Sequence, residues 1–208
     1  MKKLRFERSC FAAVMLVFFV MVLNGCIGGS SKPSKFYLLR SIENPPDNLP
    51  TTENRDRVAV LVGPITLPAY LDRTQMVTVA GKHELVLEEF NRWAEPLKDG
   101  FYRVLMEDLS LLLNTSDVYA YDRDGAPTTD YQVIIDVTRF DSIAGGDAFL
   151  TAFWTVSGRD DSSPVMTRKS VFRKPMPSTG ITGVVEAQNQ ILAELSREIA
   201  RVIQSLQR

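Results

Sequence analysis

Apolar and polar positions alternate most cleanly between residues 131 and 173. In Tyr131-Gln-Val-Ile-Ile-Asp-Val-Thr-Arg139, the side chains of Tyr131, Val133, Ile135 and Val137 fall on one side of an extended chain. That period of two marks a half-buried strand. Ala148, Leu150, Ala152, Trp154 and Val156 share one face of the next run, and Phe149, Thr151, Phe153 and Thr155 share the other. Gly145-Gly146 marks a turn between these strands, and Arg159 to Pro164 a turn before a third strand from Val165 to Arg173. The spacing predicts an antiparallel meander. Shorter strands are predicted at Phe36–Leu39, at Arg57–Val62 ended by Gly63-Pro64, and at Asp117–Tyr121. Met76–Val79 and Glu84–Leu87 flank Ala80-Gly-Lys-His83, a hairpin pattern whose glycine suits the turn.

Two segments carry the helical period instead. Asn91-Arg-Trp-Ala-Glu-Pro-Leu97 opens the first, with Pro96 in the opening turn, where a missing N–H costs nothing. Leu97, Phe101, Val104, Leu105, Met106, Leu109, Leu112 and Leu113 then form an apolar stripe until Asn114-Thr-Ser116 stops it. From Thr182 to Leu206, Val184, Ile191, Leu192, Leu195, Ile199, Val202, Ile203 and Leu206 keep close to the 3.6 period, while Glu194, Arg197, Glu198 and Arg201 face elsewhere. The expected fold class is α+β: a single domain, mainly an antiparallel sheet, with two amphipathic helices packed on one face. The other face, with Phe149 and Phe153, is then the best interface candidate.

The N-terminus breaks both periods. Lys2, Lys3, Arg5 and Arg8 precede an unbroken apolar run from Cys10 to Leu23. As a helix these residues cover about 21 Å, short of the ~30 Å hydrocarbon core of a bilayer. A basic start, a short apolar stretch and small residues after it describe an export signal. It ends in Leu23-Asn24-Gly25-Cys26, which resembles a bacterial lipobox: a thiol accepts a diacylglyceryl group, and a small preceding residue gives the peptidase access. The reading divides the chain into a lipoprotein signal peptide at 1–25, a lipidated Cys26 with a Gly/Ser-rich tether at 26–35, and a folded domain at 36–208. Cys10 leaves with the signal, so no disulfide staples the mature domain. Ile27, rather than Asp, follows Cys26, and by resemblance to lipoprotein sorting rules this favours transfer to the outer membrane.

The remaining chemistry is sparse. A formal net charge of −1 over 208 residues excludes the basic excess of a nucleic-acid binder. His83 is the single histidine and stands in a turn, so His83-Glu84 has no second histidine to complete a zinc pair. Asp122-x-Asp124-Gly125 lacks the later acidic ligand of a calcium loop. Gly145-Gly146 has no following Gly-Lys-Ser/Thr and belongs to a hairpin rather than to a phosphate loop. No catalytic residue, metal ligand or cofactor site is assigned; Cys26, as the lipid acceptor, is the one site residue.

Phe36-Tyr-Leu-Leu39, Val60-Leu-Val-Gly-Pro-Ile-Thr-Leu-Pro-Ala-Tyr-Leu-Asp-Arg73 and Arg92-Trp-Ala-Glu-Pro-Leu97, in this order behind a lipobox and before a C-terminal amphipathic helix, resemble the PqiC-like family of ABC-transport auxiliary lipoproteins. The resemblance covers nearly the whole mature chain. It implies a non-enzymatic lipoprotein of the outer membrane, facing the periplasm. Such a protein works with a mammalian-cell-entry (MCE) domain protein and inner-membrane transport components in moving phospholipid between membranes, and some members assemble into rings. The expected partners are therefore an MCE-domain protein of the PqiB kind, membrane lipid through Cys26, and further copies of the chain, with no nucleic acid. The alternative is a periplasmic lipid shuttle or chaperone with an apolar cavity of its own. Within the motif, Asp72 and Arg73 are expected to cap or pair locally rather than to meet a lipid headgroup, Trp93 to pack the first helix onto the sheet, and Arg92 to meet an acidic neighbour or a phosphate.

Overall fold

A computed structural model describes Met15 and residues 32–43, 58–121, 127–143, 145–158 and 164–207. The alternating runs form β6 (Tyr131–Ser142), β7 (Asp147–Gly158) and β8 (Pro164–Pro175), which pair antiparallel in chain order. Ala148, Leu150, Ala152, Trp154 and Val156 are all buried, as their shared face requires. Gly145 adopts a positive φ of 71° in the β6–β7 turn, a conformation open to residues without a Cβ.

The earlier strands add two features that the meander alone does not predict. β2 (Val60–Thr66) runs parallel to both β6 and β5 (Val118–Ala120). The resulting five-stranded sheet has the order β5-β2-β6-β7-β8. β1 (Lys35–Tyr37), β3 (Gln75–Ala80) and β4 (Glu84–Trp93) form a second sheet in the order β1-β4-β3. There the expected β3–β4 hairpin turns at Gly81, and β1 joins parallel to β4.

The two helices are α1 (Leu97–Leu113) and α2 (Gly180–Leu206). Asn91 to Trp93, expected to open the first helix, instead complete β4. Their backbone is held by β1 and by Thr74, whose carbonyl accepts from the Trp93 N–H at 2.8 Å. Pro96 caps α1 with extended backbone, and Asn114 ends it in the left-handed conformation at φ 53°. Phe101, Val104, Leu105 and Leu109 of α1 and Ile191, Leu192, Leu195 and Ile199 of α2 are fully buried. They share one core with Val60, Val62, Ile65, Phe140 and the inward face of β7. Each such side chain contributes roughly 1.5–3 kcal/mol relative to exposure. Phe101 meets Phe140 edge to face, 5.6 Å between ring centroids. The α+β class and the two core-facing helices follow the sequence pattern.

Residues Ser34–Arg208 form one unit, and Met1–Pro33 another. The signal segment (Met15 apart), Cys26 and most of the tether lie outside the described residues. Among the described residues no helix is long and apolar enough to cross a membrane.

One carboxylate sits inside the helix seam. Asp108 of α1 is fully buried. Its oxygens accept from the Ile42 N–H at 2.9 Å and the Ser196 hydroxyl at 2.8 Å. Burial pushes its pKa above the ordinary carboxylate value, and the two hydrogen bonds only partly offset this. The folded chain thus holds this proton to higher pH than the unfolded chain does. The resulting stabilisation is complete below the unfolded value and is lost as pH rises through the folded one. Asp108→Asn keeps an acceptor for Ile42, and its NH₂ can donate to Ser196, whose hydroxyl already faces the Leu192 carbonyl at 2.9 Å. Its thermal midpoint is expected above wild type at pH 7, with the gap closing below about pH 4. Asp108→Ala, which leaves the Ile42 amide unpaired, is expected to lose about 1–3 kcal/mol.

Candidate functional site

The outward face of β6–β7–β8 carries an ordered group of aromatic and charged side chains away from the core. Alternation along β7 turns Phe149 and Phe153 to this face, and the register sets Asp141 and Arg173 on either side of Phe149. The Arg139 guanidinium lies 3.8 Å above the centre of the Phe149 ring, and that of Arg173 lies 5.8 Å from it. Phe153 is 44% exposed, with the Lys169 ammonium 5.3 Å from its ring centre. Each ring therefore has a cation at its face, an arrangement worth about 0.5–2 kcal/mol per contact.

Both arginines are held in place by carboxylates. Asp141 Oδ1 accepts from Arg139 Nε and Nη2, both at 2.9 Å, and Asp147 Oδ2 pairs with Arg173 Nη2 at 2.5 Å. A third group reaches this cluster from a distant part of the chain. The Tyr70 hydroxyl donates to Asp141 Oδ2 at 3.2 Å. Burial first, and the Asp141 charge second, push the Tyr70 pKa up to about 12. Tyr70 is thus a fixed donor throughout the physiological range.

The backbone explains how Tyr70 arrives there. β2 does not end at Gly63-Pro64 but continues to Thr66 through a register shift between Val62 and Ile65. This bulge turns Ile65, with Val60 and Val62, into the core. Thr66 is left outward, where its hydroxyl donates to Asp136. A short 3₁₀ turn, Ala69–Leu71, then buries Leu71 and projects Tyr70. Arg73 Nε donates to the Tyr70 carbonyl at 2.8 Å, and the Asp72 N–H to the Ala69 carbonyl at 3.1 Å. For Arg73 this is a local side-chain contact, while the Asp72 contact is made by its main chain.

The stretch from Arg92 to Leu97 is structural as well. Trp93 is buried beside α1, as expected of a residue that packs the helix start. Arg92 Nε donates to the Glu89 main-chain carbonyl at 3.3 Å, a neighbour other than the acidic side chain or phosphate considered from sequence. Glu95 pairs with Arg103 at 2.5 Å, and Arg103 also donates to the Leu39 carbonyl at 2.9 Å.

His83 stands exposed in the β3–β4 turn, where the sequence puts it. Asp122, Asp124 and Gly125 lie outside the described residues, as does Cys26. Among the described residues no group of three His, Cys, Asp or Glu side chains is placed to hold a metal ion. Phe149 and Phe153 were legible from alternation alone. The link from Tyr70 through Asp141 and Arg139 to Phe149 was not, because sequence shows neither the parallel β2–β6 pairing nor the bulge.

A family model described as the ABC-type transport auxiliary lipoprotein component matches residues 37–200. None of the curated proteins matches the chain by sequence. Among solved structures, an uncharacterized protein superposes with a TM-score of 0.66 at 19% identity, covering 83% of this chain and 99% of its own. A protein from Xanthomonas campestris assigned to the family DUF330 gives 0.67 at 20% identity, covering 84% and 98%. At such identities the likeness is one of fold.

Proposed function

We propose, from the premise that the chain belongs to the ABC-type transport auxiliary lipoprotein component family, that it is a lipid-anchored docking subunit of an MCE-type system moving phospholipid between membranes. It is held at the periplasmic side of the outer membrane through Cys26 and works by contact rather than by catalysis. The observation that carries this reading is the family match over nearly the whole folded domain. The outward face of β6–β7–β8 supplies a surface for the partner. Aromatic and Arg side chains are the groups that dominate protein–protein contacts. Here both arginines at the Phe149 ring are already ordered by Asp141, Asp147 and Tyr70, so little freedom is lost there on docking. Self-association of the chain belongs to the same proposal and is read from the mass of the purified lipoprotein.

The test is purification of the tagged, acylated protein from membranes, with identification of what accompanies it. An MCE-domain protein is the expected companion. Phe153→Ala and Phe149→Ala are each expected to weaken its capture by about 2 kcal/mol, roughly thirtyfold. Phe153 is exposed and Phe149 half-buried outside the core, so unchanged circular dichroism should accompany the loss. Capture that survives both substitutions would move the docking surface elsewhere. Absence of any MCE-domain protein from the wild-type preparation would end the proposal.

A further inference from the structure

Six large hydrophobic side chains, Phe36, Leu38, Leu85, Val86, Leu87 and Phe90, are exposed along β4, on β1 and just past it. Phe36 is the most exposed of them, at 65%. It is the second residue of β1, an edge strand of the three-stranded sheet. Leu38 and Arg40, both exposed, follow it at two-residue spacing, and Lys35, directly before it, is exposed on the alternate side of the strand. Arg92 is the register partner of Phe36 on β4.

This strip is firmly held from behind. Leu39 is only 1% exposed. The main chain on either side of it is bound to both helices: Arg103 donates to the Leu39 carbonyl at 2.9 Å, the Arg40 N–H to Asn189 Oδ1 at 3.1 Å, and the Ile42 N–H to Asp108. Phe36 and Leu38 are therefore not loose ends of a terminus. They are presented outward on a rigid support, between cations.

The sequence tells what lies close to this strip. Nine residue steps separate Cys26 from Lys35, a path of at most about 30 Å in any conformation. If Cys26 carries acyl chains, Phe36 never leaves the neighbourhood of the bilayer surface. Short tethers raise the effective concentration at such a surface to the millimolar range. A contact too weak to bind by itself then closes. An aromatic and an aliphatic side chain between cations suit the headgroup layer of an anionic membrane, the cations meeting phosphates and the apolar groups entering the acyl boundary.

We propose that Lys35, Phe36, Leu38 and Arg40 form a second membrane contact that seats the β1 edge of the domain on anionic phospholipid beside the acyl anchor. This inference rests on the lipidation of Cys26. It adds to that reading a fixed orientation for the domain, with β1 toward the bilayer, in place of one free to swing on its tether.

The test exploits the cysteine count. The chain has two cysteines, Cys10 and Cys26, of which the first leaves with the signal and the second is acylated. An introduced cysteine is therefore the single free thiol. The acylated protein carrying Phe36→Cys, Leu38→Cys or Val171→Cys is nitroxide-labelled and reconstituted into vesicles of phosphatidylethanolamine and phosphatidylglycerol. Val171, as exposed as Phe36 but on β8 opposite Thr151 of the outward docking face, is the reference, read in vesicles that hold no partner protein. Labels at 36 and 38 are expected to collide several-fold less with an aqueous nickel chelate than the label at 171, and several-fold more with oxygen dissolved in lipid. The label at 38 reports with Phe36 intact. Labels at 36 and 38 as accessible to the chelate as that at 171, on protein that still floats with the vesicles, would overturn the proposal and leave the anchor standing. Protection from the chelate without a gain in oxygen collisions would overturn it in favour of a protein neighbour. Protein that fails to float would overturn the anchor reading and the proposal with it.

Discussion

Gly63→Ala is expected to lower the stability of the domain by about 2–6 kcal/mol, through two separate costs. Gly63 has a φ of 113°, and a residue with a Cβ held there pays strain of about 1–3 kcal/mol. A Cβ built at this position also overlaps the Tyr102 hydroxyl and comes within 2.9 Å of Tyr102 Cε1 and Tyr121 Cβ. Overpacking of that kind adds about 1–3 kcal/mol. Tyr102 cannot simply swing away, because its hydroxyl accepts the Ile65 N–H at 2.8 Å. The thermal midpoint should fall by roughly 5–15 °C for a domain of this size. Gly81→Ala provides the control. Its φ is also positive, at 63°, but nothing lies within 4 Å of the added carbon, so only strain of about 1 kcal/mol applies. Equal midpoints for the two variants would show that the packing around the bulge has been misjudged. The effect should extend beyond stability, because this bulge aims Thr66 at Asp136 and sends Tyr70 to Asp141.

That bulge also marks where sequence reasoning stops. Period-two alternation located β6 and β7 and sorted their faces, while β8 was placed by the turn before it. One face of β6 and of β7 is buried, and a single-residue slip would invert every side chain. The helical stripes located α1 and α2 for the same reason. Gly63-Pro64 looked like the end of a strand, since proline donates no N–H and glycine weakens a ladder. In the fold the strand absorbs both residues as a bulge, with the Gly63 carbonyl accepting from the Gln132 side chain at 2.8 Å. Nothing local signals that solution; it depends on β6, some seventy residues later. Asn91 to Trp93 looked helical because an apolar stripe follows them, yet β1 and Thr74 supply strand partners from elsewhere. Phe149 and Phe153 could be assigned outward from parity. Arg139 could not be tied to Asp141 and Tyr70, because that link depends on register.

Cys26→Ala is expected to move the protein from the membrane fraction to the soluble fraction almost completely. Acyl chains hold a protein at a bilayer by about 0.8 kcal/mol for each buried methylene, and more than one chain is needed for stable anchoring. The lipobox reading supplies a diacylglyceryl group on sulfur and a further acyl chain on the new N-terminus. Alanine removes the sulfur, and with it the acceptor for the first step. Phe36, Leu38 and their cations remain, but two exposed apolar side chains bury far less surface than even one acyl chain, so they are not expected to retain the variant. The measurement pairs sedimentation of membranes with incorporation of labelled palmitate, and separates inner from outer membranes for the wild-type protein. Cys10→Ala serves as the comparison and should leave both readouts unchanged, since its position lies in the segment to be removed. Retention of an acylated Cys26→Ala protein would place the lipid on another residue and remove the 30 Å limit that brings β1 to the bilayer. Loss of acylation without release from the membrane, on protein whose N-terminal sequence shows the apolar segment 10–23 to be removed, would show instead that protein contacts alone hold the domain there. In that case the docking face of β6–β7–β8, rather than the lipid, would be its principal attachment.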